Sequence, residues 1–318
     1  MIQVQEDKIL GLVNEIRKNA RKARIAVNVP MSEHTTFRCG GNAALFVQPS
    51  DEIDLVMLLQ VLNRTRTPWY VTGNGSNLLV SDKGYDGVII NTMSDAGRAM
   101  AVEFYRTVEG WSVNAAAGFP LAKLSRMAME RSLSGLEFAS GIPGSVGGAV
   151  VMNAGAYGGE ISQVIREAIV HDSEGKGYVL NKDALKLGYR DSIFKHEKYV
   201  CLNVTFDLKE GDRNEISGLM DEMNEKRREK QPLEYPSAGS TFKRPRGHFA
   251  GKLIMEAGLA GYSIGGAQVS EKHCGFIINR GGATSSDVKK LMDHVTRVVY
   301  ENSGVMLERE VCLIGDFE

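Results

Sequence analysis

The chain has 318 residues, enough for two or three domains with their own cores, because a single core stops growing near roughly 250 to 300 residues. Lys and Arg number 38 against 39 Asp and Glu, a formal net charge of -1. No global field is available to hold a nucleic-acid backbone or an anionic membrane surface, so neither is expected as a partner, and any anionic ligand must be held locally.

A hydrophobic share of 43% and a charged share of 24% suit a soluble fold, whereas 35 glycines against 8 prolines direct attention to loops. Cys39, Cys201, Cys274 and Cys312 lie far apart, without a C-x-x-C pair, and read as reduced structural thiols. The histidines, among them His34, His171 and His196, form no ligand set at metal spacing, so no metal is expected. Glu6 and Asp7 precede any apolar block and no long apolar run follows, which points to the cytoplasm.

In chain order, residues 6 to 24 place Ile9, Leu12, Val13 and Ile16 at helical spacing, with Arg17, Lys18, Arg21, Lys22 and Arg24 toward the helix end. An apolar stretch at Ala43 to Val47, a helix over Ile53 to Leu62 and a strand at Trp69 to Thr72 read as an α/β unit. Strands at Leu78 to Val80 and from Gly87 follow, then more strands through Ala117 and a helix over Leu121 to Arg131. The segment from Gly141 to Gly159 carries too many glycines for a helix or strand interior and reads as backbone made for close approach. Strands resume near Ala168 to Val170 and Tyr199 to Leu208. A charged helix from Arg213 to Lys230, with Ile216, Leu219, Met220 and Met223 on one face, ends before Pro232 and Pro236. Beyond it come a loop (Ser237 to Gly247), a short helix (Ala250 to Ala257), a strand (Gly275 to Asn279), a capped helix (Ser286 to Asn302) and a strand (Glu308 to Ile314).

Successive N-H groups in a Gly-rich turn form a nest of partial positive charge that holds a diphosphate without net charge on the protein. Two such turns occur: GNGSN at 73 to 77 and GIPGSVGG at 141 to 148. The first has Leu78 where a dinucleotide fingerprint needs its third glycine, and neither ends in the Lys-Ser/Thr of a P-loop. Two loops, each leaving a strand-like segment, favour a diphosphate-bearing cofactor clamped from both sides.

The pair GNGSNLLV and GLEFASGIPGSVGGAVVMNAGAYGGEI resembles the MurB family, the UDP-N-acetylenolpyruvoylglucosamine reductases. The likeness continues through HTTFRCGG, GYRDSIFK, SAGSTFKRP, AGKLIMEAGLAGYSIGGAQVS and LEREVCLIG, nearly the whole chain in order. The resemblance implies an α+β fold: a two-subdomain FAD-binding domain of the vanillyl-alcohol oxidase type plus a C-terminal α+β substrate-binding domain. The divisions are an N-terminal helical segment at 1-33, the FAD-binding domain at 34-208 (subdomains about 34-92 and 93-208) and the substrate domain at 209-318. The short segment before the C-terminal helix matches the family's second type, without the long substrate-covering insertion.

The resemblance further implies that NADPH is the co-substrate, UDP-N-acetylglucosamine enolpyruvate the substrate and FAD the cofactor; protein partners are not indicated. The residues at 72 to 77 include neither His nor Cys, so the FAD is expected to be non-covalent. Flavin contacts fall to Gly73, Asn74, Gly75, Ser76 and Asn77 in the first loop, and to Gly141, Ile142, Pro143, Gly144, Ser145, Gly148, Asn153 and Ala154 in the second. By motif position Arg190 holds the substrate carboxylate, Ser240 protonates C2, and Glu310 orients or protonates the intermediate. From the residues alone, Arg190 reads as the salt-bridge partner of Asp191 or another carboxylate, Ser240 is a turn serine, and Glu310 is a strand glutamate with Val311 and Leu313 pointing the opposite way. Tyr189, Lys230, Lys243 and His273 are assigned to the UDP-sugar. Arg244 and Cys312 stand where the family often carries asparagine and arginine.

Overall fold

The computed structural model describes residues 2–93 and 102–318. Helix α1 (Ile2–Asn19) buries Val13 and Ile16 and is followed by strand β1 (Arg24–Pro30). The helix read through Arg24 therefore ends at Asn19. Ala23 turns back onto the Ala20 carbonyl, and the Lys22 ammonium pairs with Asp51 at 3.0 Å, so Arg21 and Lys22 belong to a turn and Arg24 to a strand. Next come β2 (Asn42–Gln48), α2 (Glu52–Arg64), β3 (Trp69–Thr72), β4 (Leu78–Val80) and β5 (Tyr85–Asn91). The Asp51 carboxylate caps α2 by accepting the Asp54 N-H at 2.9 Å, and Leu55, Leu58, Leu59 and Leu62 form its buried stripe.

Then follow β6 (Val102–Thr107), β7 (Gly110–Ala116), α3 (Leu121–Met129), β8 (Leu133–Ser134), α4 (Val146–Val151), β9 (Gly155–Ala156), β10 (Gly159–Glu160), β11 (Ile165–His171), β12 (Gly177–Asn181) and β13 (Val200–Glu210). The chain continues through α5 (Arg213–Lys230), α6 (Ala250–Glu256), β14 (Ser263–Ile264), β15 (Ala267–Val269), β16 (Ile277–Asn279), α7 (Ser285–Ser303) and β17 (Cys312–Ile314). On α5 only Ile216 and Met220 are buried. Leu219, read onto the same face, is 46% exposed, because so polar a helix covers the core with one narrow stripe.

One sheet runs β1-β2-β5-β3, with β3 parallel to β5; a larger antiparallel sheet runs β12-β11-β13-β7-β6, with β8 on β13. Separately, β17 lies parallel to β4 with Cys312 opposite Leu78. Mixed helices and mostly antiparallel sheets make this an α+β fold.

The chain forms two compact units. The first comprises Met1–Val27, Leu45–Gly73 and Gly87–Glu225; the second comprises Asn28–Ala44, Asn74–Asp86 and Lys226–Glu318. In the first, one core gathers Leu45, Val47, Val88 and Ile90 under α1 and α2, and another joins α3 and α4 to the large sheet through Leu121, Leu124, Val146 and Phe206. In the second, α6 and α7 pack with β15 and β16 around Ile254, Val269, Ile277 and Leu291, and Phe37, Cys39 and Leu79 from the earlier segments join that core. Helix α7 starts at a Thr284/Asp287 capping box, and the Asp82 carboxylate accepts the Ser285 and Ser286 N-H groups at 2.8 Å each.

Candidate functional site: glycine cradles and the polar residues beside them

In the first unit, β3 delivers Gly73 against the second glycine loop. A Cβ on Gly73 would lie 2.1 Å from the Ser145 hydroxyl and 2.9 Å from the Ser145 Cβ, so only glycine fits this approach. The Asn91 amide holds the turn by donating to the Gly73 carbonyl at 2.8 Å and the Thr72 hydroxyl at 3.1 Å. The second loop leaves a short 3₁₀ turn, Glu137–Ala139, and not the strand that was expected. It enters α4 at Ser145, whose hydroxyl accepts the Gly148 N-H at 3.2 Å.

Gly147 and Gly148 thus lie inside a helix, contrary to the reading that glycine density excludes one. A Cβ on Gly147 would meet the Ala117 Cβ at 2.7 Å, and its N-H bonds the Ala117 carbonyl at 2.8 Å. Close helix-strand approach outweighs the ~1 kcal/mol helical cost of each glycine.

The N-H groups of Gly144 and Ser145 donate to no acceptor among the described residues, and the buried Ser140 hydroxyl has no partner there either. Unspent donors in a Gly-rich turn fit a diphosphate. Gly141 and Ile142 are half-buried, Pro143 is exposed, and the Ala154 N-H and carbonyl are both used by the protein.

Asn153 is 1% exposed with a left-handed backbone, φ +39°. Its amide donates to the Gly188 carbonyl at 3.0 Å and accepts the Ser162 N-H at 2.9 Å. Gly188 and Asp191 close a tight turn that carries Tyr189 and Arg190. Arg190 has φ +54°; its guanidinium donates to the Gly155 carbonyl at 3.1 Å and lies 5.3 Å from the exposed Tyr189 ring. The Asp191 carboxylate engages His196 at 3.0 Å, and this hydrogen bond holds its carboxyl below the usual range.

In the second unit, the first loop continues as Asn74–Asn77. Gly75 is buried at φ +62°, and a Cβ there would meet the His34 carbonyl at 2.1 Å; the Thr36 N-H bonds the Gly75 carbonyl at 3.2 Å. The N-H groups of Gly75 and Ser76 donate to no acceptor among the described residues, a second set of donors suited to phosphate oxygens. Asn77 donates its amide to the Glu310 carbonyl at 3.1 Å and accepts the Cys312 N-H at 3.0 Å.

Around the buried Thr241 the other residues gather. Its N-H bonds the Gly275 carbonyl at 2.8 Å, its hydroxyl accepts the Ile277 N-H at 3.0 Å, and its carbonyl accepts the Glu310 N-H at 2.9 Å. Ser240, preceded by Gly239 at φ +75°, is exposed, and its hydroxyl has no partner among the described residues. Glu310 lies outside β17, so the strand expected from Glu308 is corrected: Arg309 bridges to Phe242 and residues 308 to 310 bond the 241 to 243 loop. Val311 is buried and Leu313 half-buried.

The His273 Nδ1 accepts the Gly275 N-H at 3.1 Å, which assigns the ring proton to Nε2, and burial pushes its pKa down. Lys243 pairs with Glu308. The Arg244 guanidinium stacks 3.9 Å over Phe249. Lys230 ends α5 exposed, without an ion pair among the described residues, and is not fastened to this group. Sequence reasoning missed Asn91 and Thr241; each is a small polar residue beside apolar neighbours, and its hydrogen bonds leave no local pattern.

Residues 43–180 match the family model of the FAD binding domain, and residues 231–314 match that of the UDP-N-acetylenolpyruvoylglucosamine reductase C-terminal domain. The chain is 47% identical over 305 residues to the UDP-N-acetylenolpyruvoylglucosamine reductase of Lachnoclostridium phytofermentans, covering 96% of this chain and 97% of that protein. It is 44% identical to the protein of that name from Caldanaerobacter subterraneus, covering 96% and 98%. The crystal structure of the Thermus caldophilus reductase (MurB) superposes with a TM-score of 0.75 at 32% identity, over 92% of this chain and 99% of that one. With relatives this similar along nearly its whole length, the chain belongs to the MurB family, the UDP-N-acetylenolpyruvoylglucosamine reductases.

Proposed function

We propose that this protein is an FAD-dependent UDP-N-acetylmuramate dehydrogenase that reduces UDP-N-acetylglucosamine enolpyruvate with NADPH in peptidoglycan precursor synthesis. The observation that carries this reading is the 47% identity across 96% of the chain to a protein named UDP-N-acetylenolpyruvoylglucosamine reductase. The net reaction adds a hydride at C3 and a proton at C2 of the enol ether, while NADPH becomes NADP⁺. Bound FAD, of the vanillyl-alcohol oxidase type of site, supplies a two-electron relay between NADPH and the enol ether.

Each Gly-rich turn carries main-chain donors of the kind that suits phosphate oxygens, Gly144 and Ser145 in the first unit and Gly75 and Ser76 in the second, and no covalent tether is expected from 72 to 77. The protein must hold charge that develops on the substrate carboxylate and deliver the proton to C2. Arg190, with its planar fork, is assigned the carboxylate; Ser240 the proton; Glu310 the orientation of the intermediate. Tyr189, Lys230, Lys243 and a neutral His273 are assigned to the UDP-sugar. The FAD-binding domain is placed at 34-208 and the substrate domain at 209-318.

The same reading puts the protein in the cytoplasm, without a nucleic-acid or membrane partner. Near-zero net charge supports it, and no helix among the described residues is long and apolar enough to cross a membrane. The test is NADPH oxidation by the purified yellow protein. It should depend on UDP-N-acetylglucosamine enolpyruvate and yield UDP-N-acetylmuramate; oxidation indifferent to that substrate would overturn the reading.

A further inference from the structure

We infer that Asn153 is a positioning residue that sets the Arg190 guanidinium through the Gly188–Asp191 turn, and is not a flavin ligand. The inference rests on the reading of Arg190 as the holder of the substrate carboxylate. Three bonds tie the turn to the end of α4. The Asn153 Nδ2 donates to the Gly188 carbonyl at 3.0 Å, the fully buried Ser192 hydroxyl to the Val151 carbonyl at 2.7 Å, and the Arg190 guanidinium to the Gly155 carbonyl at 3.1 Å. The other end of the Asn153 amide accepts the Ser162 N-H at 2.9 Å. At 1% exposure both ends of this amide are taken by main-chain groups that fix its orientation.

Arg190 needs such a brace. Its φ of +54° is a conformation that an L residue with a long side chain rarely adopts. The Lys195 ammonium on the Arg190 carbonyl at 2.7 Å is exposed, so the buried contribution comes from Asn153 and Ser192. Asn153 itself stands at φ +39°, which asparagine tolerates better than most residues. The segment that follows the second glycine loop therefore also aims the arginine, so one stretch of chain serves both the cradle and the substrate side.

Asn153→Asp keeps an acceptor for the Ser162 N-H but places a carboxylate oxygen against the Gly188 carbonyl. Asn153→Gly keeps the backbone conformation and removes the amide, so a folding failure in one variant does not end the test. In both variants of the holoenzyme, flavin content and the rate of bleaching by NADPH should stay within about threefold of the parent. Flavin reoxidation by the enolpyruvyl substrate should slow on the order of 100-fold, the scale for a misplaced catalytic group. Substrate affinity, titrated through the absorbance of the oxidised protein, should weaken in parallel.

Arg190→Ala separates the two claims. If Arg190→Ala reoxidises slowly and the Asn153 variants reoxidise at the parent rate, the positioning role is overturned and the reading of Arg190 stands. If Arg190→Ala reoxidises at the parent rate, both fall. In the double variant Asn153→Asp with Arg190→Ala, the Asn153 substitution should add little further loss. Loss of flavin from both Asn153 variants would return Asn153 to the cofactor site and overturn the inference.

Discussion

Ser240 follows a left-handed glycine, and its exposed hydroxyl has no partner among the described residues. Ser240→Ala should leave flavin content and bleaching by NADPH intact, and slow reoxidation by the enolpyruvyl substrate by roughly 100- to 10,000-fold, the loss typical of a positioned general acid. Ser240→Cys should regain part of the rate, since a thiol still delivers a proton; an alanine variant as fast as the parent would return Ser240 to the status of a turn residue. His273 makes a prediction of a different kind. Burial lowers its pKa from 6.5 in the folded protein, so the unfolded chain takes up the proton first as pH falls. Its contribution to stability is therefore full above pH 6.5 and is lost between 6.5 and the lower folded value. Urea midpoints measured across that window should fall with pH in the parent and fall less in His273→Gln; identical slopes would rule the effect out. At this scale the sequence marks Arg190, Ser240 and Glu310 only by motif position, because the left-handed backbone at Arg190 and the bonds of Thr241 depend on partners far along the chain.

The two glycine loops show why some elements are legible and others are not. Periodicity places α2, α5, α7 and β3 to within a residue or two, because each puts its apolar side chains on one stripe or carries an apolar run. Strands β1 and β12 and the hairpin β14-β15 escape, since polar and exposed positions interrupt their alternation. Helix α4 escapes because its glycines serve packing and not helix propensity. Alanine at Gly147 would meet the Ala117 Cβ at 2.7 Å, and alanine at Gly75 would meet the His34 carbonyl at 2.1 Å. Both substitutions should lower the flavin-to-protein ratio after purification and lower the Tm. Gly218→Ala offers the contrast: it lies inside α5 with nothing within 4 Å of a new Cβ, and should raise stability by about 0.5 to 1 kcal/mol. A Tm reduced by all three alike would mean that the close approaches at Gly75 and Gly147 are not what distinguishes them.

Across the whole molecule, burial sorts the four cysteines. Cys201 is buried and its thiol is pushed up to about 12, burial also raises Cys39 and Cys274, and Cys312 alone is half-exposed. Native protein should show one rapidly modified thiol and denatured protein four; a second fast thiol before unfolding would contradict the packing. Length sets the number of cores to expect, but it does not reveal that the second unit draws on three separated segments, because that interleaving depends on contacts made across hundreds of residues. The pairing of β17 with β4 has a consequence during synthesis. The Asn77 amide waits for a carbonyl 233 residues further on, and Leu78–Val80 waits for Cys312–Ile314. A ribosome that has made the first glycine loop must make nearly everything else before that loop has its neighbours. Until then an apolar strand edge stays open on the nascent chain, an aggregation hazard that grows with any pause in translation before residue 312.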